Sequence, residues 1–335
     1  MKPWKKPLKV GLVGATGVVG ETFINLLDEH AFPIAELRPF ASQNSLGLKL
    51  ELAGQEWPVQ VLKPGCFDGL DMVFFSSGDD ISKEWAPQAV KSGAFAIDNS
   101  NAFRMDQGIN LVVPEVNGHL LNSSSQPQII ANPNCSTIQL VVALKPLYDK
   151  FGISDVTVST YQAVSGAGLP GYDELLNQTK NFQQVDQEVK AFPKQILFNC
   201  IPQIGSFGSD GFSSEETKIM NETVKIMNAP EIKVSAFTVR IPALNSHSES
   251  VWVTLNKTVT KADVVNALGN FDGLAVIEDG DYPTALEVSG EEPVFVGRIH
   301  QDRHNPNRWL MWVVSDNLKK GAALNGLQIS ELLFS

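Results

Sequence analysis

The sequence has no long hydrophobic run, few cysteines and a deficit of positive charge, and each shortage argues against a class of protein. Runs such as 72–75 are typical of the longest apolar stretches, far short of the ~18 apolar residues of a membrane-spanning helix. The three cysteines, Cys66, Cys135 and Cys200, are widely spaced and form no CxxC pair, which argues against a disulfide framework or a structural zinc site. With 26 basic and 37 acidic residues the net charge is −11, and an acidic surface repels the phosphates of nucleic acids.

Signs of a fibrous, disordered or secreted protein are also missing. Of the 335 residues, 43% are hydrophobic and 19% charged, the ordinary balance of a globular chain. The basic N-terminal residues 1–7 are not followed by an uninterrupted apolar segment, because Gly11, Gly14 and Gly17 intervene, so no signal peptide is expected. We predict a cytoplasmic protein of two domains, since a typical domain has about 150 residues, with no nucleic-acid or membrane partner.

The first part of the chain alternates strand-like and helix-like segments. Short apolar runs lie at 9–13, 37–41, 71–76, 94–98 and 128–131. Helical patterns separate several of them, as at 81–91. This alternation predicts an α/β domain with a parallel sheet.

Beyond about residue 135 the strands become longer and lose the regular alternation with helices. Strand-like runs lie at 155–163, 232–241, 250–258, 293–299 and 308–314. Helical patterns lie near 171–190, 214–227 and 260–268. They predict an α+β domain with a mixed or antiparallel sheet. The helix-like segment 319–335 is expected to return to the first domain, which gives predicted domains of 1–134 with 319–335, and of 135–318.

A glycine-rich turn joins the first strand to the first helix. Gly14, Gly17 and Gly20 let the backbone approach a pyrophosphate, while the helix offers free N–H groups and the positive end of its dipole. The alternative is a tight turn without a ligand. The loop at 41–45 carries no carboxylate for ribose hydroxyls, and its hydroxyl and amide groups tolerate a 2′-phosphate, so the sequence favours NADP over NAD.

Cys135 is a candidate nucleophile because it stands at the apparent start of a helix, where the dipole favours the thiolate. The alternative is a small buried apolar residue, which is the interpretation we give to Cys66 and Cys200. Among the five histidines, His247 is the candidate base, in a turn between two predicted strands. His300 and His304 have the spacing of metal ligands but no third ligand, so no metal site is predicted.

Four motifs together resemble the aspartate-semialdehyde dehydrogenase family. They are Asn134-Cys135-Ser-Thr, Gln162 in Ser-Thr-Tyr-Gln-Ala-Val-Ser-Gly-Ala-Gly, Arg240-Ile-Pro with His247 seven residues later, and Ser315-Asp-Asn-Leu. The resemblance runs from the glycine turn to the C-terminal helix. It implies a Rossmann-type NADP-binding domain, a catalytic and dimerisation domain, and a homodimer or homotetramer.

The reaction implied by this resemblance is the NADPH-dependent reductive dephosphorylation of L-aspartyl 4-phosphate to L-aspartate 4-semialdehyde through a cysteine thioester. It belongs to the biosynthesis of lysine and diaminopimelate, methionine, threonine and isoleucine. Cys135 would attack the acyl phosphate, His247 would act as general acid/base, and Gln162 would orient the acyl group.

The resemblance also implies which residues bind substrate and cofactor. Arg240 would hold the substrate carboxylate and Glu215 the amino group. Lys218 and Arg104 would bind the phosphate, with Asn134 beside the thiol. The implied cofactor-binding residues are Gly14, Thr16, Gly17, Val18, Val19, Ser42, Asn44, Ser45, Ser165, Gly166 and Asn317.

Two other functions are compatible with parts of the pattern. An N-acetyl-glutamyl phosphate reductase would share the thiol and the cofactor domain, but its acetylated amine has no charge to pair with Glu215. A non-catalytic relative is disfavoured by the joint presence of the cysteine, glutamine, arginine and histidine. Without the match of all the motifs together, the spacing of Glu215, Lys218 and Glu222 would indicate a solvated, ion-paired helix face. Arg104 would then be interpreted as a residue of a surface loop. Asn44 departs from the arginine of many family members, which weakens the expected NADP selectivity.

Overall fold

Two structural units make up the chain. One comprises the residues up to Asn134 together with Ala322–Ser335, and the other comprises Cys135–Gly321. The computed structural model describes residues 6–184 and 188–335. The basic residues 1–5, part of the segment where no signal peptide is expected, and residues 185–187, in the predicted helix 171–190, lie outside this description. No helix in the described part of the chain is both long enough and apolar enough to cross a membrane.

A six-stranded sheet forms the centre of the first unit. In chain order its elements are β1 (Leu8–Val13), α1 (Val18–Glu29), β2 (Ile34–Phe40), β3 (Lys49–Leu52), β4 (Gln55–Pro58), β5 (Met72–Phe75), α2 (Asp79–Lys91), β6 (Phe95–Asp98), β7 (Asn110–Leu111), α3 (Pro114–Asn117) and β8 (Ile129–Ala131). The strand order is β2-β1-β5-β6-β8-β7, and every pairing is parallel. The sheet therefore has the predicted parallel character, and β3 and β4 form a separate hairpin that the sequence patterns did not predict.

Apolar packing on both faces explains why the central strands are continuous hydrophobic runs. All four residues of β5 are buried. Phe74 stacks on Phe23 of α1 with ring centroids 4.3 Å apart. The C-terminal helix, Leu324–Phe334, packs on the same ring, because a Cβ on its Gly326 would lie 2.3 Å from Phe74. This helix thus belongs to the core of the first unit.

The second unit is built on a mixed sheet. In chain order its elements are α4 (Cys135–Phe151), β9 (Ile153–Gln162), α5 (Gly168–Lys180), α6 (Ser214–Met227), β10 (Lys233–Arg240), β11 (His247–Leu255), α7 (Lys261–Gly269), β12 (Leu274–Val276), α8 (Ala285–Val288), β13 (Val294–Gln301) and β14 (Arg308–Ser315). The strand order is β10-β9-β11-β14-β13-β12. The two outer pairs are parallel and the three inner pairings antiparallel, as the prediction of a mixed sheet required.

Strand alternation places the candidate residues in one row across this sheet. Residues directly opposite each other on neighbouring strands point to the same face. Arg240 pairs with Gln162, His247 pairs with Ser315, and the neighbouring pair Ser248 and Tyr161 sets β11 beside β9. A first row therefore crosses four strands: Arg240, Gln162, His247 and Ser315. A second row lies one alternation further along the strands: Thr238, Thr160, Glu249 and Val313.

Several predicted boundaries differ from the observed ones. The helix predicted over 171–190 ends at Lys180, because the next residue, Asn181, leaves the helical conformation with φ −111° and ψ 25°. His247 lies not in a turn but at the first position of β11, where it pairs with β14. The interpretation of Cys200 as a buried residue was wrong, because Cys200 is exposed. Cys66 is buried, as expected.

Candidate active site

The candidate nucleophile opens helix α4. Cys135 is the first residue of α4 and is half-buried, so it lies where the helix dipole favours an anionic sulfur. A Cβ on Gly321 would lie 2.9 Å from the Cys135 Cβ, so only glycine allows this approach.

His247 is fully buried and held through one of its two ring nitrogens. The backbone N–H of Ala163 donates to His247 Nδ1 at 3.1 Å. A backbone N–H can only donate, so the neutral ring carries its proton on Nε2. Within the described residues, Nε2 has no hydrogen-bond partner. A Cβ on Gly166 would lie 3.2 Å from Nε2, so glycine leaves room for a group to reach it.

The surroundings of His247 keep the imidazole uncharged. Burial, followed by the positive charge of Arg240, lowers its pKa from 6.5 to about 3, and Glu215 opposes this shift. Near neutral pH the ring is thus a neutral Nε2–H donor. This is the state that can donate a hydrogen bond to a developing oxyanion without first losing a proton.

Arg240 is anchored by the same backbone residue as His247. Its Nη1 donates to the carbonyl of Ala163 at 2.6 Å, and its guanidinium lies 5.9 Å from the ring centroid of Phe192. Burial lowers the Arg240 pKa, while Glu215 and Cys135 raise it. Arginine stays charged in such surroundings. A buried cation is therefore placed beside the thiol and the imidazole.

A hydrogen-bonded chain orients Gln162 and Glu215. Thr160 Oγ1 donates to Gln162 Oε1 at 3.0 Å, and Gln162 Nε2 donates to Glu215 Oε1 at 3.1 Å. Lys218 Nζ lies 3.3 Å from Glu215 Oε2. Glu215 and Glu222 are both buried, so the alternative of a solvated helix face is wrong for these two residues.

Helix α6 carries Glu215 and Lys218 and is fixed by its N-terminal cap. Ser213 and Glu216 form a capping box. The Ser213 hydroxyl lies 3.2 Å from Thr238 Oγ1, and Glu216 Oε1 accepts from the Thr238 N–H at 3.0 Å. The first turn of α6 is thereby attached to the second row of the sheet.

Two predicted residues of the substrate site lie in the first unit. Arg104 is buried rather than on the surface. Its Nε donates to the carbonyl of Asn132 and its Nη2 to the carbonyl of Asn99, each at 2.9 Å. Asn134, next to Cys135 in the chain, is also buried.

The glycine turn of the first unit fits a dinucleotide. Gly14 has φ +83°, and a Cβ there would lie 2.7 Å from the Ser76 carbonyl oxygen. A Cβ on Gly20 would lie 2.3 Å from the Gly14 carbonyl oxygen. Gly17 precedes α1 and supplies no side-chain cap, so the first N–H groups of the helix, including those of Val18 and Val19, point to a site suited to an anion.

The loop after β2 lies beside this turn. Ser45 Oγ is 3.4 Å from Thr16 Oγ1. Ser42 and Asn44 are exposed on the same loop. The polar, uncharged groups of this loop suit the ribose end of a 2′-phosphorylated cofactor.

In the second unit, Asn317 ties two loops together. Its Nδ2 donates to Ser165 Oγ at 3.0 Å, and its Oδ1 accepts from the Ser246 N–H at 2.9 Å. Gly166 follows Ser165 and faces Arg240 and His247. Among residues 6–184 and 188–335, no three His, Cys, Asp or Glu side chains form a metal-ligand cluster.

Both units match domain families. Residues 9–124 match the family described as "Semialdehyde dehydrogenase, NAD binding domain", and residues 144–320 match "Semialdehyde dehydrogenase, dimerisation domain". The chain is 49% identical over 331 residues to the aspartate-semialdehyde dehydrogenase of Aquifex aeolicus, with 97% of each chain covered. The chain belongs to the aspartate-semialdehyde dehydrogenase family. The predicted family is confirmed, and so is the fold class of a parallel dinucleotide-binding domain with a mixed-sheet second domain.

Solved structures of aspartate-semialdehyde dehydrogenases share this architecture. The Vibrio cholerae aspartate semialdehyde dehydrogenase II complexed with ASA superposes with a TM-score of 0.93 at 41% identity, with 98% of each chain covered. The Candida albicans enzyme with NADP has a TM-score of 0.76 at 28% identity and the same coverage.

The sequence patterns missed several groups that complete the site. The main chain of Ala163 holds both Arg240 and His247, and Thr160 orients Gln162. Phe192 lies against the Arg240 guanidinium. Only Thr160 had a detectable signal, since strand alternation places it on the same face as Gln162.

Proposed function

We propose that this protein reduces L-aspartyl 4-phosphate to L-aspartate 4-semialdehyde with NADPH, in the biosynthesis of the aspartate-derived amino acids. The observation that carries the proposal is a group of side chains in the second unit, in which a buried cation, carboxylate and neutral imidazole and a half-buried thiol are near enough to act on one another. These are the groups needed to recognise a free amino acid and to transfer its side-chain acyl group.

The first step is acyl transfer to sulfur. The Cys135 thiolate bonds to the carbonyl carbon of the acyl phosphate, and the bond from that carbon to the phosphate oxygen breaks. Inorganic phosphate leaves with the bonding electrons, so a thioester remains on Cys135. The α4 N-terminus and the Arg240 charge stabilise the attacking thiolate.

The resemblance implies that His247 is a general acid/base, and we propose that in this step its neutral ring also stabilises the oxygen that becomes negative. Its Nε2–H donates to the carbonyl oxygen as the tetrahedral centre forms, and the Ala163 N–H on Nδ1 keeps that tautomer in place. Such a donor is typically worth about 10²–10³ in kcat. Gln162, held by Thr160, orients the acyl group beside it.

NADPH, when bound, supplies the hydride that reduces the thioester to the aldehyde. We propose that the following residues hold it: Gly14, Thr16, Gly17, Val18, Val19, Ser42, Asn44 and Ser45 of the first unit, and Ser165, Gly166 and Asn317 of the second. Breakage of the carbon–sulfur bond then releases the aldehyde and returns Cys135 to the thiolate.

Substrate recognition rests on charges of both signs. We propose that Arg240 binds the α-carboxylate, since a guanidinium forms two parallel hydrogen bonds to a carboxylate. Glu215 binds the α-ammonium group, and Lys218 and Arg104 bind the phosphate, with Asn134 beside the thiol. These cations offset the net charge of −11 that would otherwise repel an anionic substrate.

The second unit also carries a surface suited to self-association. The match of residues 144–320 to a dimerisation domain supports a homodimer. On the face of the mixed sheet opposite the two rows, Phe237 and Trp252 are 56% and 37% exposed. We propose that a second copy of this chain covers this face, and that two dimers can form a tetramer. We also propose a cytoplasmic location, since the three free cysteines and a thiol nucleophile suit a reducing compartment.

The reverse reaction tests the proposal. Purified protein is mixed with aspartate semialdehyde, inorganic phosphate and NADP, and the reduced nicotinamide is followed by absorbance. A phosphate-dependent signal, larger with NADP than with NAD, is expected. No signal from folded, cofactor-binding protein would refute the aspartate assignment, and activity with N-acetyl-glutamate semialdehyde in its place would indicate the neighbouring reductase.

A further inference from the structure

Glu249 is an acidic side chain inside the second unit that takes no part in the steps above. Glu249 of β11 is fully buried and follows His247 by two positions, so the two side chains point to the same face of the sheet. Its neighbours in the second row are Thr160 and Val313. Within the described residues, neither carboxyl oxygen has a partner in hydrogen-bonding geometry.

Helix α4 packs on strand β11, and the amide of Gln139 interacts with the Glu249 carboxyl. Gln139 lies on α4 and is 1% exposed. It follows Cys135 by four residues, so the two side chains share a helix face. Its Oε1 and Nε2 also lack a hydrogen-bond partner among the described residues. The Gln139 amide therefore lies about one helical turn from the thiol along α4. The Glu249 carboxyl lies two residues from the imidazole along β11.

Complete burial favours the neutral, protonated form of the Glu249 carboxyl. Burial raises its pKa well above the ordinary value, and the neighbouring Gln139 amide opposes this only in part. A carboxylic acid and a primary amide are complementary, because the acid O–H can donate to Oε1 and the amide N–H to the carboxyl oxygen. The terminal torsions of both side chains are soft, so small rotations convert the observed juxtaposition into two hydrogen bonds.

We propose that protonated Glu249 and Gln139 form a hydrogen-bonded pair that fixes helix α4 against strand β11, and thereby holds the Cys135 sulfur in its working position relative to the His247 imidazole. The pair is a positioning pair, since neither group touches the reacting atoms. The test of this inference by turnover rests on the proposed function, whereas the test by chemical reactivity of the Cys135 thiol does not.

A set of matched variants tests the pair, all in a Cys200→Ser background so that the exposed thiol does not react. Glu249→Gln keeps two complementary hydrogen bonds with Gln139 but removes the acid. The exchange Gln139→Glu with Glu249→Gln keeps one acid and one amide. The double variant Gln139→Met with Glu249→Met removes both polar groups, which leaves no orphaned partner and is not expected to lower stability. Each protein is assayed for Tm, for kcat and KM with aspartate semialdehyde, and for the rate of Cys135 alkylation by iodoacetamide.

If the pair positions the thiol, its removal should lower kcat without lowering the Tm. The Glu249→Gln and exchanged variants should keep kcat and the alkylation rate within about threefold of the parent. The double methionine variant should keep its Tm but lose about tenfold to a hundredfold in kcat, as expected for a misplaced nucleophile, with KM changed less than threefold and an altered alkylation rate.

Two results would overturn the proposal. A double methionine variant with kcat within twofold of the parent would show that the pair does not position the thiol. A Glu249→Gln variant as impaired as the double methionine variant would show that the acid transfers a proton or carries charge. If the parent itself shows no turnover, the proposed function fails, and the alkylation rates of the same variants still decide for or against the pair.

Discussion

The imidazole of His247 is expected to remain neutral at pH values where an exposed histidine is charged. Burial and the Arg240 cation lower its pKa from 6.5 to about 3. At pH 5 an imidazole of ordinary pKa is about 97% protonated, whereas one with a pKa of about 3 is about 1% protonated. The ring therefore keeps its Nε2–H and its acceptor at Nδ1 throughout the range in which the enzyme can be assayed.

This shift also makes the folded state sensitive to acid. Because the pKa is lower in the folded protein, the unfolded chain binds more protons below pH 6.5, so stability falls as the pH decreases from about 6.5 toward 3. The loss of stability due to this one residue is about 2 kcal/mol at pH 5 and about 4 kcal/mol at pH 3, and it is close to zero above pH 7.

Nitrogen-15 NMR of histidine-labelled protein measures both the charge and the tautomer. The His247 signal is assigned by its loss in His247→Asn, and the exposed His300→Asn serves as the matched control. We expect a ring with protonated Nε2 and unprotonated Nδ1 that does not titrate between pH 8 and pH 5. Urea unfolding should show that His247→Asn loses about 2 kcal/mol less than wild type between pH 7 and pH 5. A His247 signal that titrates near pH 6.5, or a ring protonated on Nδ1, would refute the reasoning.

Three further variants test other parts of the site. Cys135→Ala should abolish turnover, since no other group can form the thioester, while NADP affinity measured by fluorescence stays near wild type; lost affinity would instead indicate misfolding. Arg240→Lys should raise KM for aspartate semialdehyde much more than KM for phosphate, because a lysine cannot pair bidentately with a carboxylate, and equal increases would contradict that assignment. Trp252→Glu should shift the sedimentation of the protein toward the monomer by placing a charge on the proposed dimer face, with exposed Leu286→Glu as control, and an unchanged dimer would exclude this face.

The sequence predicted the elements whose hydrophobic pattern is long and regular. The helix over 214–227 and the strand that begins the chain agree with α6 and β1 to within a residue. The hairpin of β3 and β4 was missed because its strands have four residues each and are half exposed, so no alternation stands out from the surrounding loop. The helix end at Lys180 is set by the backbone conformation of Asn181, which periodicity does not detect.

The residues of the candidate site came from motifs, but their arrangement came from strand register. No spacing in the sequence indicates that Arg240, Gln162 and His247 occupy one row across three strands, because each strand must first be paired with the right neighbour. The tautomer of His247 is set by a main-chain N–H contributed 84 residues earlier. Backbone donors carry no sequence signature, so this part of the chemistry required the structure.

Glu249 did have a signal in the sequence. From His247 onward the inward positions of β11 are 247, 249, 251, 253 and 255, and the last three are Val251, Val253 and Leu255. An acid inside an alternating apolar strand is costly unless it is neutral and paired. The same alternation that places Val251 in the core therefore places Glu249 there too, directly behind the imidazole. A carboxyl group kept at such a position needs a partner, and the amide of Gln139 is the polar group that α4 offers to it.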